Sequence, residues 1–404
     1  MEKSNSIVVV GAGPSGSFSA LSAAKLGAKV VVFEEHKTIG VPSHCPGHLS
    51  LSSLKRLDLV SLPKEIVENE FKGAVFYSPC GREFSVRFSS PVTCVVDRKL
   101  FDRHLADLSM KTGVEYRLGV RVESLVLAGG FVKGVVFSRE GEKETFTSNI
   151  VIDAEGVSSN LLKKARLPTL NRFAIVNAVH AEVDKIVDVE NDCVEVYLGR
   201  KHASGFYAWV IPRQDGSAKV GLATMRGNPK EYLQRFMHNH PVALKKLRRS
   251  KIVRQSFHPI TLGGPIRRTY HNGLLIVGDA ASQVKPTTGG GVIMGLTCAK
   301  IAAEIACQAI QQNDYSGHFL SRYQRGWQQT IGFDMVVMKQ IRLLLNRLSD
   351  KKLDKMISLY SQLHLDEGIQ KVKDIDFQGK SFIPLLKSPN TWAVVFYSFL
   401  ASIM

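Results

Sequence analysis

The stretch SIVVVGAGPSG, residues 6–16, decides the fold. Its first half, Ser6–Val10, is a short run rich in β-branched residues that ends at a glycine, which is the pattern of a strand buried in a parallel sheet. A helix with small residues is predicted over 15–26, and the apolar run AKVVVF at 28–33 predicts the next strand. Strand, glycine turn, helix and strand form a βαβ unit, so the sequence predicts an α/β fold.

The glycines of this stretch fit the pattern GxGxxG. Gly11 allows a tight turn, Gly13 lets the backbone approach a pyrophosphate, and Gly16 lets the helix pack on the strand. Glu34 lies 18 residues past Gly16, close to the spacing at which an acid binds a ribose hydroxyl. A carboxylate there repels a 2′-phosphate and so disfavours NADP. The motif predicts a bound dinucleotide and leaves FAD and NAD open.

Two later segments favour a flavin. Asp279 follows a predicted strand and can accept a hydrogen bond from a ribityl hydroxyl, and the glycine run 289–291 can offer backbone N–H groups at a helix start. The segment VIDAEGVSS, residues 151–159, has the form of the Asp-Gly signature of flavoprotein hydroxylases, with Glu155 before Gly156. These segments favour FAD over NAD.

In this order, the glycine fingerprint, VDRKLFDRHL with Arg98, DAEGVSS and GDAASQVKPTTGGGV resemble the geranylgeranyl reductases, a family within the hydroxylase-like FAD-dependent oxidoreductases. The resemblance covers residues 5 to about 310 and is strongest to the archaeal digeranylgeranylglycerophospholipid reductase type. It implies an enzyme that saturates isoprenoid double bonds in membrane-lipid precursors by hydride transfer from reduced flavin. The cofactor-binding residues implied are Gly11, Gly13, Pro14, Ser15, Gly16, Glu34, Glu35, Cys45, Gly47, Arg98, Val122, Asp153, Gly156, Gly278, Asp279, Gly289, Gly290, Gly291 and Val292.

The family's substrate-cavity motif has the form PxxYxWxFP, and the corresponding stretch here is SGFYAWVIP. Tyr207, Trp209 and Pro212 match, whereas Ser204 and Ile211 replace the family's Pro and Phe. Tyrosine and tryptophan suit an apolar slot for an alkene because they are large, rigid and able to hydrogen-bond at one end. The resemblance therefore implies an aromatic frame with a changed contour.

The resemblance also implies a role for a cysteine near the flavin ring. Cys45-Pro46-Gly47 fits the family's loop after the second strand, where a cysteine is followed by a glycine. Three roles stay open for Cys45: it gates the flavin, relays a proton or packs. Cys45, Tyr207 and Trp209 form the predicted catalytic set, and the proton donor is Cys45 or a positioned water.

The chain of 404 residues carries a net charge of +17, with 44% hydrophobic and 22% charged residues. This composition excludes a mainly disordered chain. The positive charge favours anionic partners such as lipid headgroups or acidic proteins, and the basic clusters 245–249 (KKLRR) and 267–268 are candidate contacts. No nucleic-acid-binding motif accompanies the charge, so no nucleic-acid partner is expected.

The resemblance implies a prenylated lipid substrate. Together with the positive charge, it leads us to expect a cytoplasmic protein in peripheral contact with the inner face of the cell membrane. No second dinucleotide motif occurs, so the electron donor is expected to be transiently docked NAD(P)H or an acidic ferredoxin. No run of about 18 apolar residues occurs, which predicts no membrane-spanning helix. The apolar tail WAVVFYSFLASIM, residues 392–404, is predicted to be a core helix or an interfacial anchor.

The six cysteines contain no CxxC pair, so no zinc or iron–sulfur site, and no other metal site, is expected. The predicted architecture is a Rossmann-like FAD-binding domain interrupted by a β-rich substrate domain, with a helical C-terminal region. The FAD-binding domain is predicted over 1–72, 92–170 and 265–330, the substrate domain over 73–91 and 171–264, and the helical region over 331–404. The alternatives are an FAD-dependent aromatic monooxygenase and a reductase of another prenyl substrate, such as a quinone tail.

Overall fold

The computed structural model describes residues 6–139, 141–370 and 374–385, the last four without their side chains. The chain divides into two compact units, each assembled from three segments. The first unit comprises Met1–Ser43, Arg98–Phe173 and Thr261–Met335, and the second comprises His44–Asp97, Ala174–Ile260 and Val336–Met404.

The strands alternate with helices near the N-terminus and run consecutively in the middle of the chain. In chain order they are β1 (Ser6–Val10), β2 (Lys29–Glu34), β3 (His48–Ser50), β4 (Val67–Phe71), β5 (Gly73–Tyr77), β6 (Glu83–Arg87), β7 (Thr93–Val96), β8 (Glu115–Leu118), β9 (Arg121–Ala128), β10 (Phe131–Arg139), β11 (Glu142–Thr147), β12 (Ile150–Asp153), β13 (Ile175–Val183), β14 (Cys193–Tyr197), β15 (Ala208–Pro212), β16 (Ala218–Thr224), β17 (Ile252–Thr261), β18 (Tyr270–His271) and β19 (Leu274–Ile276).

The helices concentrate toward the C-terminus. In chain order they are α1 (Pro14–Lys25), α2 (Leu51–Arg56), α3 (Arg98–Lys111), α4 (Asn160–Lys164), α5 (Pro229–Asn239), α6 (Ala243–Leu247), α7 (Val292–Gln312), α8 (Gly317–Trp327), α9 (Phe333–Arg347), α10 (Asp350–Gln362), α11 (Leu365–Ile369) and α12 (Gln378–Leu385). Short 3₁₀ turns lie at Lys64–Ile66, Gly156–Ser158, Arg172–Ala174 and Gly278–Ala281, and a π turn spans Gln328–Gly332.

The first unit is built on a sheet of strand order β18-β19-β12-β1-β2-β8. Its pairs are parallel from β19 through β8, and only the edge pair β18–β19 is antiparallel. β1 is fully buried and pairs on both sides, with Ile7 opposite Val30 of β2 and Ile150 of β12. The predicted α/β class is confirmed.

Helix α7 packs against α1 in the first unit. Over 21 residues it is long and apolar enough to cross a membrane by length and composition, which the search for an apolar run did not predict. In the structure 61% of its most apolar window is buried within the protein, as in a core helix, so its length and composition are weak evidence for a membrane span.

The second unit is built on a larger, mostly antiparallel sheet of order β17-β13-β16-β15-β14-β5-β6. Strands β14 and β5 pair in parallel, whereas the pairs β13–β16, β14–β15, β15–β16 and β5–β6 are antiparallel. β15 and β16 are buried along their whole length, and Trp209 of β15 lies opposite Gly221 of β16. A smaller antiparallel sheet, β3-β7-β4, belongs to the same unit.

The two units divide the chain differently from the predicted domains. Residues 44–72 and 92–97, predicted in the FAD-binding domain, lie in the second unit. The reason is strand pairing, because β7 pairs with both β3 and β4 and so keeps these segments together. The C-terminal segment from Val336 also joins the second unit, where α10 packs on β6. The apolar tail 392–404 lies outside the described residues.

Candidate functional site

The glycine turn between β1 and α1 is shaped by two close backbone approaches. Gly11 has φ +97°, and a Cβ there would lie 2.5 Å from the carbonyl oxygen of Ala154. A Cβ on Gly16 would lie 1.9 Å from the carbonyl oxygen of Gly11. Both positions therefore require glycine for packing of the protein itself.

Gly13 differs from its two neighbours because a Cβ there would meet no protein atom within 4 Å. It is the N-cap of α1 and brings no side-chain cap, and Pro14 and Ser15 open the helix. An uncapped helix N-terminus directs N–H groups and partial positive charge into the open space. The turn fits the pyrophosphate of a dinucleotide.

Glu34 ends β2 and is bound to this turn. Its Oε2 accepts a hydrogen bond from the N–H of Ala12 at 2.7 Å, and its Oε1 accepts from the N–H of His36 at 2.9 Å. Glu34 therefore braces the glycine turn in addition to the ribose role expected from sequence. Glu35 is exposed, 3.6 Å from Arg121 Nε, and Val122 packs on the core of the first unit.

The structure brings the segment with Gly278 and Asp279 against the glycine turn of residues 11–16. A Cβ on Gly278 would lie 2.6 Å from Ser15 Oγ, so the start of α1 packs directly on this glycine. A Cβ on Gly291, the N-cap of α7, would lie 2.7 Å from Asp279 Oδ1. The glycine run thus passes close to the carboxylate, as the sequence pattern indicates.

The glycine run before α7 is held by its own backbone. The N–H of Gly289 donates to the carbonyl of Lys285 at 2.8 Å, and the N–H of Lys285 donates to the carbonyl of Gly290 at 3.2 Å. Gly291 then caps α7 without a side chain, and Val292 is the first helical residue. A second uncapped helix start therefore lies in the first unit.

Arg98 and Asp102 form a bidentate ion pair at the start of α3, with both nitrogen–oxygen distances at 2.9 Å. Burial raises the pKa of Asp279, and the positive charge of Arg98 opposes that shift. Arg98 thus supplies the cationic charge for this cluster of acids and glycines.

Asp153 and Glu155 form a pair of neighbouring acids whose charges influence each other. Asp153 has no exposed surface, and its Oδ1 accepts from the N–H of Glu155 at 3.0 Å. Burial, and then the charge of Glu155, raise the pKa of Asp153 well above its usual range. Glu155 accepts from the N–H of Leu161 and caps α4, while Gly156 faces open space. Of this segment, Gly156 has the room that a ligand would need.

The second unit contains the predicted cysteine loop. Cys45 is half-buried, and its Sγ accepts a hydrogen bond from the N–H of Gly47 at 3.4 Å. The carbonyl of Gly47 in turn accepts from the N–H of Val96. His44 stacks on His258 with ring centroids 5.2 Å apart. The loop is thus held by backbone hydrogen bonds after the thiol and by a side-chain stack before it.

The predicted aromatic frame is present at the start of β15. Tyr207 stacks on Phe206 at 4.3 Å between ring centroids and meets Trp209 edge-on at 6.0 Å. Trp209 is 7% exposed, and a Cβ on Gly221 would lie 2.4 Å from its indole ring. Because Gly221 has no side chain, the indole of Trp209 can pack against its backbone. The cluster of rings offers a flat apolar surface.

Sequence reasoning did not single out Arg342 of α9. Its side chain is 6% exposed, and its guanidinium carbon lies 4.8 Å from the centre of the Phe206 ring. Burial lowers the pKa of Arg342 to about 10, and Tyr207 opposes the shift. The guanidinium still carries its charge at neutral pH. The basic and apolar residues interleaved over 335–348 were the available signal, but they do not indicate which residue turns inward.

Two surface predictions need adjustment. In the basic cluster 245–249, Lys246 is buried and ion-paired with Glu195, so it is unavailable to an anionic partner. Glu190, Asp192 and Cys193 bring potential metal-ligating atoms within 4.8 Å of one another. Arg87 ion-pairs with both carboxylates, so one side-chain cation offsets part of the negative charge of this cluster.

A family model described as FAD binding domain matches residues 4–307. A digeranylgeranylglycerophospholipid reductase of Methanocaldococcus jannaschii is 33% identical, covering 87% of this chain and 89% of the relative. A digeranylgeranylglycerophospholipid reductase of Methanothermobacter thermautotrophicus is 35% identical, with 87% and 90% coverage.

Among solved structures, a geranylgeranyl bacteriochlorophyll reductase-like protein of Thermoplasma acidophilum has a TM-score of 0.85 at 28% identity, covering 93% of this chain and 95% of that one. A flavin-dependent brominase has a TM-score of 0.72 at 18% identity, which reflects the shared fold. The cofactor is FAD, and the chain belongs to the digeranylgeranylglycerophospholipid reductase family of FAD-dependent oxidoreductases.

Proposed function

We propose that this enzyme saturates the double bonds of geranylgeranyl chains on a membrane glycerophospholipid precursor, adding one hydride and one proton to each. The names of the curated relatives support this substrate over an aromatic ring or a quinone tail. The observation that carries the proposal is the aromatic frame of Phe206, Tyr207 and Trp209, with Phe206 and Trp209 buried, in the unit that also holds Cys45.

We assign the cofactor to the first unit. The open space at Gly13 takes the pyrophosphate, Glu34 the ribose, and Asp279 with the glycine run before α7 the ribityl and ring end. When bound and reduced, FAD supplies hydride to an alkene carbon. The positive charge of Arg98 offsets part of the negative charge that the cofactor and Asp279 bring together.

The aromatic frame holds the alkene and excludes water. A prenyl double bond has no carbonyl to activate it, so the protein contributes orientation and a dry environment. Burial raises the pKa of Tyr207 to about 12, and the phenol stays protonated throughout the neutral range. Its hydroxyl can donate a hydrogen bond to a water or a thiol without losing its proton.

We assign the proton delivery to the cysteine loop. The Cys45 thiol is half-buried, and its charge is among the causes that raise the pKa of Tyr207, after burial. The S–H of Cys45, or a water held between Cys45 and Tyr207, would give the proton to the second alkene carbon. A Cys45→Ser variant keeps a proton donor of similar size and should retain more activity than Cys45→Ala.

Charge guides the remaining assignments. The net charge of +17 favours an anionic partner. We propose peripheral contact with the anionic inner face of the cell membrane, and electrons from an acidic ferredoxin or from NAD(P)H. Co-sedimentation with vesicles tests the first point: binding should require anionic lipid and weaken with salt. Stopped-flow flavin reduction by each donor tests the second.

The substrate is tested directly by anaerobic turnover. FAD-loaded enzyme reduced with dithionite and given a geranylgeranyl glycerophospholipid should yield products heavier by pairs of hydrogen atoms in mass spectrometry. Trp209→Phe should slow the conversion, whereas Trp327→Phe, the loss of a buried indole from the first unit, should not. The monooxygenase alternative would be established by two results together. The lipid would remain unchanged, and the enzyme would hydroxylate an aromatic substrate when oxygen is present.

A further inference from the structure

A buried lysine holds the cysteine loop. Lys219 lies on β16 and is only 4% exposed. Its Nζ donates to the carbonyl oxygens of Pro46 and Val96, each at 2.9 Å. Pro46 is the residue between Cys45 and Gly47, so one of these hydrogen bonds is made one residue from the thiol.

The ammonium group is kept charged by a network of alternating charges. Lys219 forms an ion pair with Glu68 of β4, and Glu68 also lies 3.5 Å from Arg213 Nη1. Arg213 in turn pairs with Glu182 at 2.7 Å. Burial lowers the pKa of Lys219, and the charge of Glu68 opposes this shift. A buried cation with this set of acceptors has little freedom to move.

Strand β16 also carries Gly221, against which the indole of Trp209 packs. In the β15–β16 pairing, Trp209 lies opposite Gly221 and Ile211 opposite Lys219. Gly221 and Lys219 are two residues apart and share one face of the sheet. β16 therefore sets the place of the indole through one residue and the place of the cysteine loop through another.

We infer that Lys219 is a positioning residue: its hydrogen bonds to Pro46 and Val96 fix the Cys45 thiol relative to the Tyr207–Trp209 frame. The functional half of this inference rests on the proposed saturation of prenyl double bonds. Lys219 does not touch the reacting atoms. It acts by holding the backbone of the loop that presents the thiol, and loss of such positioning costs on the order of 10- to 100-fold in rate.

The chain offers a matched control. Lys246 is a second buried lysine in the same unit, ion-paired with Glu195 and donating to Tyr77 OH at 3.0 Å. None of these contacts involves the cysteine loop. Lys246→Met and Lys219→Met both remove a buried ammonium and leave a carboxylate without its lysine partner, so general destabilisation should be common to both.

The experiment compares FAD-loaded wild type, Lys219→Met, Lys219→Arg and Lys246→Met. Alkylation of Cys45 is followed by peptide-resolved mass spectrometry across pH 6 to 9, and lipid saturation gives kcat and KM. Lys219→Met should change the Cys45 alkylation rate about tenfold and lower kcat by about 10- to 100-fold with a smaller change in KM. Lys219→Arg should restore part of both, and Lys246→Met should leave both unchanged.

If the single variant does not fold, Lys219→Met/Glu68→Gln removes the carboxylate that has lost its lysine partner and serves in its place. Equal alkylation of Cys45 in wild type and the Lys219 variants would overturn the inference, as would equal effects of the Lys219 and Lys246 variants. Altered alkylation with unchanged kcat would overturn its functional half. If wild type saturates no lipid, the proposed function fails, whereas the alkylation comparison still decides whether Lys219 holds the loop.

Discussion

The two units of this protein hold their functional groups by different physical means. In the first unit the groups are backbone N–H donors and glycines at helix starts, set by close contacts at Gly11, Gly16 and Gly278. In the second unit, side chains from distant strands and helices meet in buried charge networks and aromatic stacks, as at Lys219, Arg342 and Trp209.

The difference teaches where each unit is vulnerable. A turn made of glycines fails when an added methyl group has no room, and the effect depends on distances of an ångström. A buried ion pair fails when one partner is removed, because the remaining charge has lost its compensation. The following experiments test this contrast.

The largest effect is expected at Gly16. An alanine Cβ would lie 1.9 Å from the carbonyl oxygen of Gly11, so the turn or α1 must shift. Gly16→Ala should lose FAD binding by more than about 100-fold, equivalent to about 3 kcal/mol, and lower the yield of folded protein. Flavin absorbance and isothermal titration check the result. Wild-type FAD affinity in this variant would contradict the steric account of the first unit.

An effect of comparable size, on stability instead of on FAD binding, is expected from removal of a buried cation in the second unit. Lys246→Met leaves Glu195, which is 2% exposed, with Tyr197 OH as a donor at 2.5 Å but without its cation. The free energy of unfolding should fall by about 3–5 kcal/mol, measured by urea denaturation. The exposed neighbour provides the control, and Lys245→Met should change stability by less than about 0.5 kcal/mol. Adding Glu195→Gln should recover part of the loss.

A smaller and more selective effect is expected at Gly13. Because a Cβ there meets no protein atom within 4 Å and φ is −66°, Gly13→Ala should fold and melt like wild type. A bound pyrophosphate would be displaced, so the FAD dissociation constant should rise about 10- to 100-fold, or about 1.4–2.8 kcal/mol. An unchanged dissociation constant would show that the pyrophosphate does not approach Gly13.

The smallest effect concerns pH. His240 is buried, its Nε2 lies 3.2 Å from the carbonyl of Ser78, and its Nδ1 accepts from the N–H groups of Val242 and Ala243. Burial, and then the charge of His202, lower its pKa from 6.5 to about 4. Because the unfolded chain binds this proton more readily, stability is present above pH 6.5 and is lost as pH falls toward 4.

At pH 5.5 this loss should be about 1 kcal/mol. His240→Asn keeps an acceptor for the two N–H groups and removes the titration, so its stability should vary less between pH 7 and 5 than that of wild type. Urea midpoints measured across this range decide the point. Parallel pH profiles for the two proteins would show that His240 does not titrate in this window.

The sequence predicted the first unit well because its elements are local. The run Ser6–Val10, the glycine turn and the strand ending at Glu34 have their periodicity and spacing within one stretch of chain, and the structure has them within one or two residues. The aromatic frame of Tyr207 and Trp209 was implied by the resemblance to the family's substrate-cavity motif, and the structure brings the two rings together.

The predicted domains and the two compact units differ at segments whose strand partners lie far along the chain. Residues 44–72 follow the first βαβ unit directly, yet β3 and β4 pair with β7 and so join the second unit. In the cluster 245–249 the sequence shows adjacent cations alike, although Lys246 is buried and Lys245 is exposed. Periodicity over a few residues does not specify which strand a segment will pair with, or which carboxylate a lysine will contact.

By itself the sequence determined the α/β class and the dinucleotide turn, because glycine turns, helix starts and strand ends impose their residue requirements within about 20 positions. The assignment to FAD and to the family came from several motifs in order along the chain and from their resemblance to the geranylgeranyl reductases. Only the tertiary structure decided that Lys219 reaches Pro46, 173 residues away, and that Arg342 stacks on Phe206. Those contacts arise from burying charged groups beside aromatic and backbone partners. Burial is a property of the packed molecule rather than of any one segment.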